Sequence, residues 1–167
     1  MKFLTNDTLV GGMGNDKIEG GSGNDRITGG IVSGSSGKDT LTGNEGNDIF
    51  ELSYSFAEVY PQIIMLESLP LNQGLDSAKK ERKKISKPFY AEKGDNDFAL
   101  IEDFTKGEDK IRILGTSSSG DITSNYSLKK IESSPNVIDT NIYYDEDLIA
   151  VVAGNNIELT GDFFLFT

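Results

Sequence analysis

The chain of 167 residues contains no histidine, no cysteine and no tryptophan, and these absences exclude several classes of chemistry. Without histidine or cysteine there is no Ser-His-Asp or Cys-His catalytic pair, no disulfide, and no zinc, haem or iron–sulfur site held by these side chains. Any bound metal must be held by oxygen, which favours Ca²⁺ or Mg²⁺. A net charge of −11 also disfavours nucleic acid as a partner, because phosphates bind to basic surfaces.

Long apolar runs are missing as well. Apolar runs such as Leu148–Val152 and Phe163–Phe166 have only the length of a β-strand. A membrane-spanning helix needs roughly 20 apolar residues, so we do not expect an integral membrane protein. The N-terminal residues Met1–Asp7 turn polar too early to form the apolar core of about 7–15 residues found in a signal peptide. Export would therefore have to use another signal.

Most of the 19 glycines lie in the first third of the chain, where the sequence repeats every nine residues. Full copies of the nonapeptide begin at Gly11, Gly20, Gly34 and Gly43, and Gly29–Ser33 separates the second copy from the third. The sixth position of each copy is Asp, and the eighth is Ile, Leu or Phe. A partial copy with the same phase comes before the first full one.

The composition of the nonapeptide predicts its structure. Glycines allow a tight turn with positive φ values, and the alternating polar and apolar residues after Asp are typical of a short, half-buried strand. Two repeats then form one coil, so that each loop stacks on the loop two repeats later. A cation between stacked loops would meet backbone carbonyls and an Asp carboxylate from each loop. The alternatives are a flexible Gly/Asn/Asp-rich linker or a set of tight hairpin turns.

The nonapeptide resembles the repeat of the RTX (hemolysin-type calcium-binding) family. The resemblance implies an all-β fold: a parallel β-roll whose loops bind Ca²⁺, followed by a strand-rich C-terminal cap. The candidate metal-binding residues in the repeats are Asp7, Gly11, Gly12, Gly14, Asp16, Gly20, Gly21, Gly23, Asp25, Gly34, Ser35, Gly37, Asp39, Gly43, Asn44, Gly46 and Asp48.

The stacking rule assigns partners to these aspartates. Asp16 should face Asp39, and Asp25 should face Asp48, which gives two well-formed sites. Asp7 should face Asp25 in a third site, although the loop before Asp7 lacks glycines. The residues between the second and third copies either bulge outward or shift the pairing of Asp16 with Asp39.

Two C-terminal segments extend the resemblance. Ile101–Ile111 is similar to the DF-x-x-G-x-D-K-I segment that caps RTX rolls, as in the serralysin C-terminal region. The resemblance implies that Asp97 and Asp109 join the last calcium sites, and the alternative is that both are turn-forming acidic residues. The stretch Asn141–Val152 resembles the closing hairpin of cyanobacterial RTX proteins. We interpret its Asp145–Asp147 cluster as an exposed turn and not as a catalytic carboxylate group.

The end of the chain, Asp162–Thr167, combines an acidic residue with an apolar tail. It resembles the uncleaved C-terminal signals of type I secreted proteins, and it also fits a final core strand. The other strands expected in the C-terminal part are Phe98–Glu102, Lys110–Leu114, Tyr126–Ile131, Asn141–Asp145, Asp147–Val152, Asn155–Leu159 and Phe163–Thr167.

The sequence predicts three segments: a β-roll at residues 1–52, an insertion at 53–93 and a β-rich cap at 94–167. Within the insertion, a short helix is expected from Asp76 or Ser77 to about Ile85, and it carries many Lys and Arg residues. This basic stretch is interpreted either as a contact for an acidic polysaccharide or anionic surface, or as a solvated loop.

We therefore expect a secreted or cell-surface module that folds on binding Ca²⁺ outside the cell and leaves through type I secretion machinery. No HExxH or G-x-S-x-G motif is present, so an enzyme is not expected. The alternatives are a polysaccharide-binding accessory module and the C-terminal part of a larger RTX toxin or enzyme.

Overall fold

A computed structural model describes residues 4–30, 37–53, 88–91, 94–114 and 125–166, and these residues form two β-sheets. The first sheet has the strand order β1-β3-β5-β7-β11, and the second has the order β2-β4-β6-β10-β9-β8. The strands are β1 (Thr8–Val10), β2 (Lys17–Ser22), β3 (Arg26–Thr28), β4 (Lys38–Glu45), β5 (Ile49–Glu51), β6 (Phe98–Ile101), β7 (Lys110–Ile113), β8 (Tyr126–Ser134), β9 (Val137–Tyr144), β10 (Asp147–Val152) and β11 (Phe164–Phe166).

Successive strands of the repeats alternate between the two sheets, and each pairs in parallel with the strand one coil later. The eighth position of each nonapeptide points between the sheets. Ile18 is 9% exposed, and Ile27, Leu41 and Phe50 are fully buried. The repeat length therefore places one apolar side chain per strand in a common core. The predicted all-β parallel β-roll is confirmed.

The C-terminal strands continue the same two sheets. Strands β6 and β7 pair in parallel with β4 and β5, and β10 and β11 then pair in parallel with β6 and β7. Buried residues from these strands, among them Ile101, Ile111, Ile149 and Phe164, join the core of the repeats. The two sheets thus run without a break from the repeats into the C-terminal part.

An antiparallel hairpin of β8 and β9 extends the second sheet beyond β10. The turn between β9 and β10 consists of Asp145 and Glu146, which are exposed and have φ values of 49° and 71°. Positive φ at both central residues is typical of the two-residue turns that match the twist of a hairpin. The expected exposed turn is therefore present at Asp145 and Glu146, whereas Asp147 is half-buried and begins β10. Strands β8 and β9 are both longer than the sequence predicted.

The predicted strand at Asn155–Leu159 is wrong, because this segment crosses from the second sheet to the first. Side chains bind its backbone in place of a neighbouring strand. The Thr140 hydroxyl donates to the Asn155 carbonyl at 2.6 Å, and the Ile157 N–H donates to the same hydroxyl at 3.2 Å. Ile157 is fully buried, which explains the strand-like sequence pattern.

Most of the insertion, including the expected helix from Asp76 to Ile85 and its basic residues, lies outside the described residues. Its end is described and belongs to the core. Phe89, Tyr90 and Ala91 are buried, and the Phe89 N–H donates to the Leu52 carbonyl at 2.9 Å. Among the described residues, no helix is long and apolar enough to cross a membrane.

A buried carboxylate joins three strands of the first sheet. Glu51 on β5 is 2% exposed and accepts hydrogen bonds from Arg26 Nε on β3 at 2.9 Å. The Arg112 guanidinium on β7 lies 3.0 Å from the same carboxylate oxygen. Because both arginines share one acceptor, the ionic contact spans three consecutive coils of the roll.

Replacing Glu51 with Gln should lower the free energy of unfolding by about 3 kcal/mol, because two guanidinium groups lose their buried counterion. Chemical denaturation in saturating calcium would measure the change. Glu19→Gln is the matched control, since Glu19 forms an exposed pair with Lys17 at 2.9 Å and should contribute little. Equal stability losses in the two variants would contradict the assigned role of Glu51.

Candidate metal centre

The loops of the roll are stacked by hydrogen bonds between their aspartates. On one side, the N–H of Asp7 donates to Asp25 Oδ1 at 2.8 Å, Asp25 donates to Asp48 at 2.8 Å, and Asp48 donates to Asp109 at 2.9 Å. On the other side, the Asp16 N–H donates to Asp39 Oδ1 at 2.8 Å. Each loop therefore lies on the loop of the next coil, with aspartate above aspartate.

The second oxygen of three of these carboxylates has no protein partner. Asp16 Oδ2, Asp25 Oδ2 and Asp48 Oδ2 are buried, and none accepts a hydrogen bond. A buried carboxylate oxygen without a partner is costly, and its recurrence at the same repeat position needs a common explanation. A bound cation at each position would supply the missing partner.

Glycine at the first position of each repeat leaves space beside this oxygen. A Cβ added to Gly11 would lie 2.5 Å from Asp16 Oδ2 and 2.8 Å from the Gly29 carbonyl oxygen. A Cβ on Gly20 would similarly meet Asp25 Oδ2 and lie 2.8 Å from the Gly43 carbonyl oxygen. Calcium prefers oxygen ligands at roughly 2.3–2.6 Å, so the space kept open by the missing side chain has the donors and the dimensions for such an ion.

The remaining glycines shape the loops. Gly12, Gly14, Gly21, Gly23 and Gly46 all have positive φ. A Cβ on Gly46 would collide with the Gly23 carbonyl of the preceding coil, so this position requires glycine for stacking as well as for conformation. Asn44 takes the second position of the last repeat with φ of 70°, a value that asparagine tolerates better than most residues.

A second ladder, which the sequence reasoning did not single out, runs through the fifth repeat position. The Asn24 N–H donates to Asn6 Oδ1 at 2.8 Å, and the Asn47 N–H donates to Asn24 Oδ1 at 2.9 Å. On the other side, the Lys38 N–H donates to Asn15 Oδ1 at 2.9 Å. The recurrence of Asn just before the repeat Asp was the available signal.

In the last coil, Asp109 ends the ladder of aspartates that begins with Asp7, and its contacts differ from those of the earlier members. Asp109 is 3% exposed, and both of its oxygens accept hydrogen bonds, from the N–H groups of Asp48 and Thr105. Asp103 was missed as a site residue, although it is the Asp of the DF segment. Its carboxylate accepts the N–H groups of Gly43 and Asn44 at 2.9 and 2.7 Å. Asp103 and Asp109 therefore cover the loop that carries Asp48 and accept hydrogen bonds from its backbone N–H groups.

The second side ends differently. Asp97 is fully buried and comes directly before β6. Because Asp39 pairs in register with Ala99, two residues further on, Asp97 does not continue the aspartate ladder. The second oxygen of Asp39 accepts the Tyr90 hydroxyl at 2.7 Å. Gly37 stacks on Gly14 through its N–H, whereas Gly34 and Ser35 lie outside the described residues.

The buried carboxyl groups have perturbed protonation. Burial raises the pKa of Asp39, Asp48 and Asp109 above the ordinary value, and neighbouring aspartates raise it further. Hydrogen bonds from the stacked N–H groups partly oppose this rise. The negative charges of Asp25 and Asp103 both disfavour ionisation of Asp48 and so raise its pKa. Negative charge is thus concentrated in a place where no basic side chain neutralises it among the contacts described.

Comparison with protein families decides what these loops are. The family model of the RTX calcium-binding nonapeptide repeat matches the chain in four copies, over residues 4–31 and 31–52. These residues are RTX calcium-binding repeats. RTX nonapeptide repeats bind Ca²⁺, and the unpartnered oxygens and the glycine-lined spaces of this chain fit that ion. No curated protein matched the sequence.

Backbone oxygens must complete each RTX site. In the parts of the chain that the structure describes, no three acidic side chains lie close enough together to hold a metal by themselves. Calcium takes about six to eight oxygen ligands, so the paired aspartates can supply only part of the shell. The carbonyls of Gly29 and Gly43 line the same spaces beside Gly11 and Gly20 as the unpartnered carboxylate oxygens and are candidate ligands.

Gly20→Ala should remove one calcium ion, because the added methyl group would lie against Asp25 Oδ2 and the Gly43 carbonyl, where the cation is expected. At calcium concentrations of about 100 times Kd, the lost ion corresponds to about 2.7 kcal/mol of stability. Calorimetric titration would count the ions. Gly161→Ala is the matched control, because a Cβ there meets no atom within 4 Å. An unchanged ion number in Gly20→Ala would contradict this location.

Without calcium, the roll should become less stable as the pH rises from about 4 towards neutrality. The raised pKa values of Asp39, Asp48 and Asp109 mean that the folded state holds more protons than the unfolded state above the ordinary carboxyl value of 3.8. Their contribution to stability is present when they are protonated and is lost as they ionise. Circular dichroism of metal-free protein should show more β structure at about pH 5 than at about pH 7. The opposite order would contradict the argument.

Proposed function

We propose that this chain is a calcium-dependent folding module of a secreted or cell-surface protein. The observation that carries the proposal is the repeated buried oxygen without a partner on Asp16, Asp25 and Asp48. Each belongs to an RTX repeat, and each faces a space lined by a glycine. A fold that buries these oxygens is complete only when cations are bound to them.

Three gaps between stacked loops are the proposed calcium sites. The first lies between the loops of Asp16 and Asp39, and the second lies between those of Asp25 and Asp48. The third lies between the loop of Asp48 and the last coil, where Asp103 adds a carboxylate that the sequence reasoning did not include. The stacked Asp48 is the proposed partner of Asp25. Asp39 is the proposed partner of Asp16 through Oδ1, which lies at the stacking contact, because its Oδ2 accepts the Tyr90 hydroxyl.

The ends of the ladders are weaker candidates. Asp7 is exposed, and its Oδ2 accepts the Thr5 hydroxyl at 2.9 Å, so a site between Asp7 and Asp25 would have to displace that contact. Asp109 has no oxygen left without a hydrogen bond. Both residues remain proposed ligands, but their contacts favour roles in positioning the loops.

The energetics support coupling of calcium binding to folding. At free calcium of about 10–100 times Kd, each ion adds roughly 1.4–2.7 kcal/mol by mass action. Three ions then add an amount comparable to the total stability of a small domain, which is about 5–15 kcal/mol. The low calcium of a cytoplasm would leave the aspartates repelling one another, and the higher calcium outside the cell would allow the roll to close.

This coupling fits export through type I secretion machinery, which would carry the chain unfolded. The apolar tail that resembles a secretion signal forms β11 in the folded state, where Phe164 is buried against β7. The tail would therefore be fully accessible before folding and only partly covered afterwards, with Phe164 buried. We also propose that the module is not an enzyme, since RTX repeats are structural calcium-binding units and the sequence has no histidine or cysteine nucleophile pair.

Calcium titrations of the complete chain, followed by calorimetry and circular dichroism, test the proposal. We expect β structure to form with calcium and Asp16→Asn, Asp25→Asn and Asp48→Asn each to raise the midpoint at least about tenfold, which corresponds to 1.4 kcal/mol. Asp48→Asn should have the largest effect, because Asp48 borders two gaps.

The control is Asp145→Asn, which changes an exposed turn residue away from the repeats and keeps its tolerance of positive φ. It should leave the calcium midpoint unchanged. For the stacked pair, the Asp25→Asn/Asp48→Asn double variant should lose less affinity than the sum of the single losses, because both aspartates serve one ion. Full β structure in excess chelator, or strictly additive losses, would refute the proposal.

A further inference from the structure

A tyrosine from the end of the insertion lies where the repeat pattern would place another ion. In the gaps beside Gly11, Gly20 and Gly43, the carboxylate oxygen of the repeat aspartate faces the glycine and has no protein partner. Gly29 occupies the equivalent place beside Asp39. There, an added Cβ would meet both Asp39 Oδ2 and the Tyr90 hydroxyl oxygen.

The chemistry of this contact is opposite to that of a calcium site. The Tyr90 hydroxyl donates its proton to Asp39 Oδ2 at 2.7 Å, and it thereby satisfies the oxygen that stays unpartnered in Asp16, Asp25 and Asp48. The hydroxyl oxygen also lies against the position of a Cβ added to Gly29, so it fills the space beside this glycine that an ion would need.

The core holds Tyr90 firmly in this position. Its side chain is fully buried, and its neighbours Phe89 and Ala91 are 4% and 8% exposed. The Phe89 N–H donates to the Leu52 carbonyl at 2.9 Å, which ties the segment to the residue that follows β5. The hydroxyl is therefore placed by packing and does not depend on a flexible surface side chain.

We propose that Tyr90 is a built-in plug that takes the place of a calcium ion beyond Asp39. The side of the roll that carries Asp16 and Asp39 then holds one ion, whereas the opposite side holds two. The plug closes the aspartate ladder without calcium and sets the number of ions that the module binds. This inference rests on the proposed calcium-binding function and adds a limit on its stoichiometry.

Calcium stoichiometry of the complete chain tests the plug. Tyr90→Phe removes only the hydroxyl, and Tyr90→Ala also opens space for the ligands of an ion. We expect at least one of these variants to bind one more calcium ion than the unchanged protein, and neither to bind fewer. Tyr126→Phe is the matched control, because it removes a hydroxyl from another buried tyrosine, which packs on Tyr144 in the hairpin.

The possible results separate the two proposals. If the unchanged protein binds no calcium, the proposed function itself fails. If it binds calcium but both Tyr90 variants bind the same number of ions, the plug is refuted alone. A variant that binds fewer ions would show that Tyr90 supports an ion and does not replace one, which also overturns the inference.

A crystal structure of the calcium-saturated protein keeps the inference testable should the variants fail to fold. We expect anomalous density for calcium beside Gly11, Gly20 and Gly43, and the Tyr90 hydroxyl within hydrogen-bond distance of Asp39 Oδ2. An ion bound to that oxygen in place of the hydroxyl would overturn the proposal.

Discussion

The structure depends on the contact between aspartates of successive coils. One carboxylate oxygen accepts the backbone N–H of the aspartate in the coil before it and so fixes the register of the loops. In Asp25 and Asp48 the same residue also buries its second oxygen, which has no protein partner, and Asp16 at the start of the other ladder carries such an oxygen as well. Asp25 and Asp48 thus serve both stacking and ion binding, because burying the second oxygen creates the need for a partner. In Asp39 and Asp109, a hydroxyl and a backbone N–H satisfy that oxygen without an ion.

The sequence carried enough information for the fold and for the aspartate pairs, because both follow from the period. A nine-residue repeat places Ile18, Ile27 and Leu41 in one core and stacks each loop on the one two repeats later. The predicted partners, Asp16 with Asp39 and Asp25 with Asp48, are adjacent in the structure. The extra residues between the second and third copies do not shift this register. Gly29 keeps the first loop position, so the additional length follows it.

The residues that the sequence did not reveal act across long distances in the chain. Asp103 binds the N–H groups of Gly43 and Asn44 from the last coil, and Tyr90 reaches Asp39 from the far end of the insertion. Neither Asp103 nor Tyr90 recurs at a fixed interval in the sequence, so no repeat pattern predicts these contacts. The strand predicted at Asn155–Leu159 is wrong for a related reason. The burial of Ile157 produces a strand-like alternation, but the backbone of this segment binds to the distant Thr140 side chain and not to a neighbouring strand.

Packing and ion binding are distributed unevenly along the roll, and this determines which part needs calcium most. The later strands contribute fully buried side chains such as Ile101, Ile111 and Ile149, whereas Leu4 and Met13 near the first coil are 76% and 79% exposed. In the repeats, Asp16, Asp25 and Asp48 each carry a buried oxygen without a protein partner. Local stability follows buried apolar contacts, so the later coils can form a packed base on which the repeats close. The first coils have little core of their own, and the ions between their loops replace the packing that they lack.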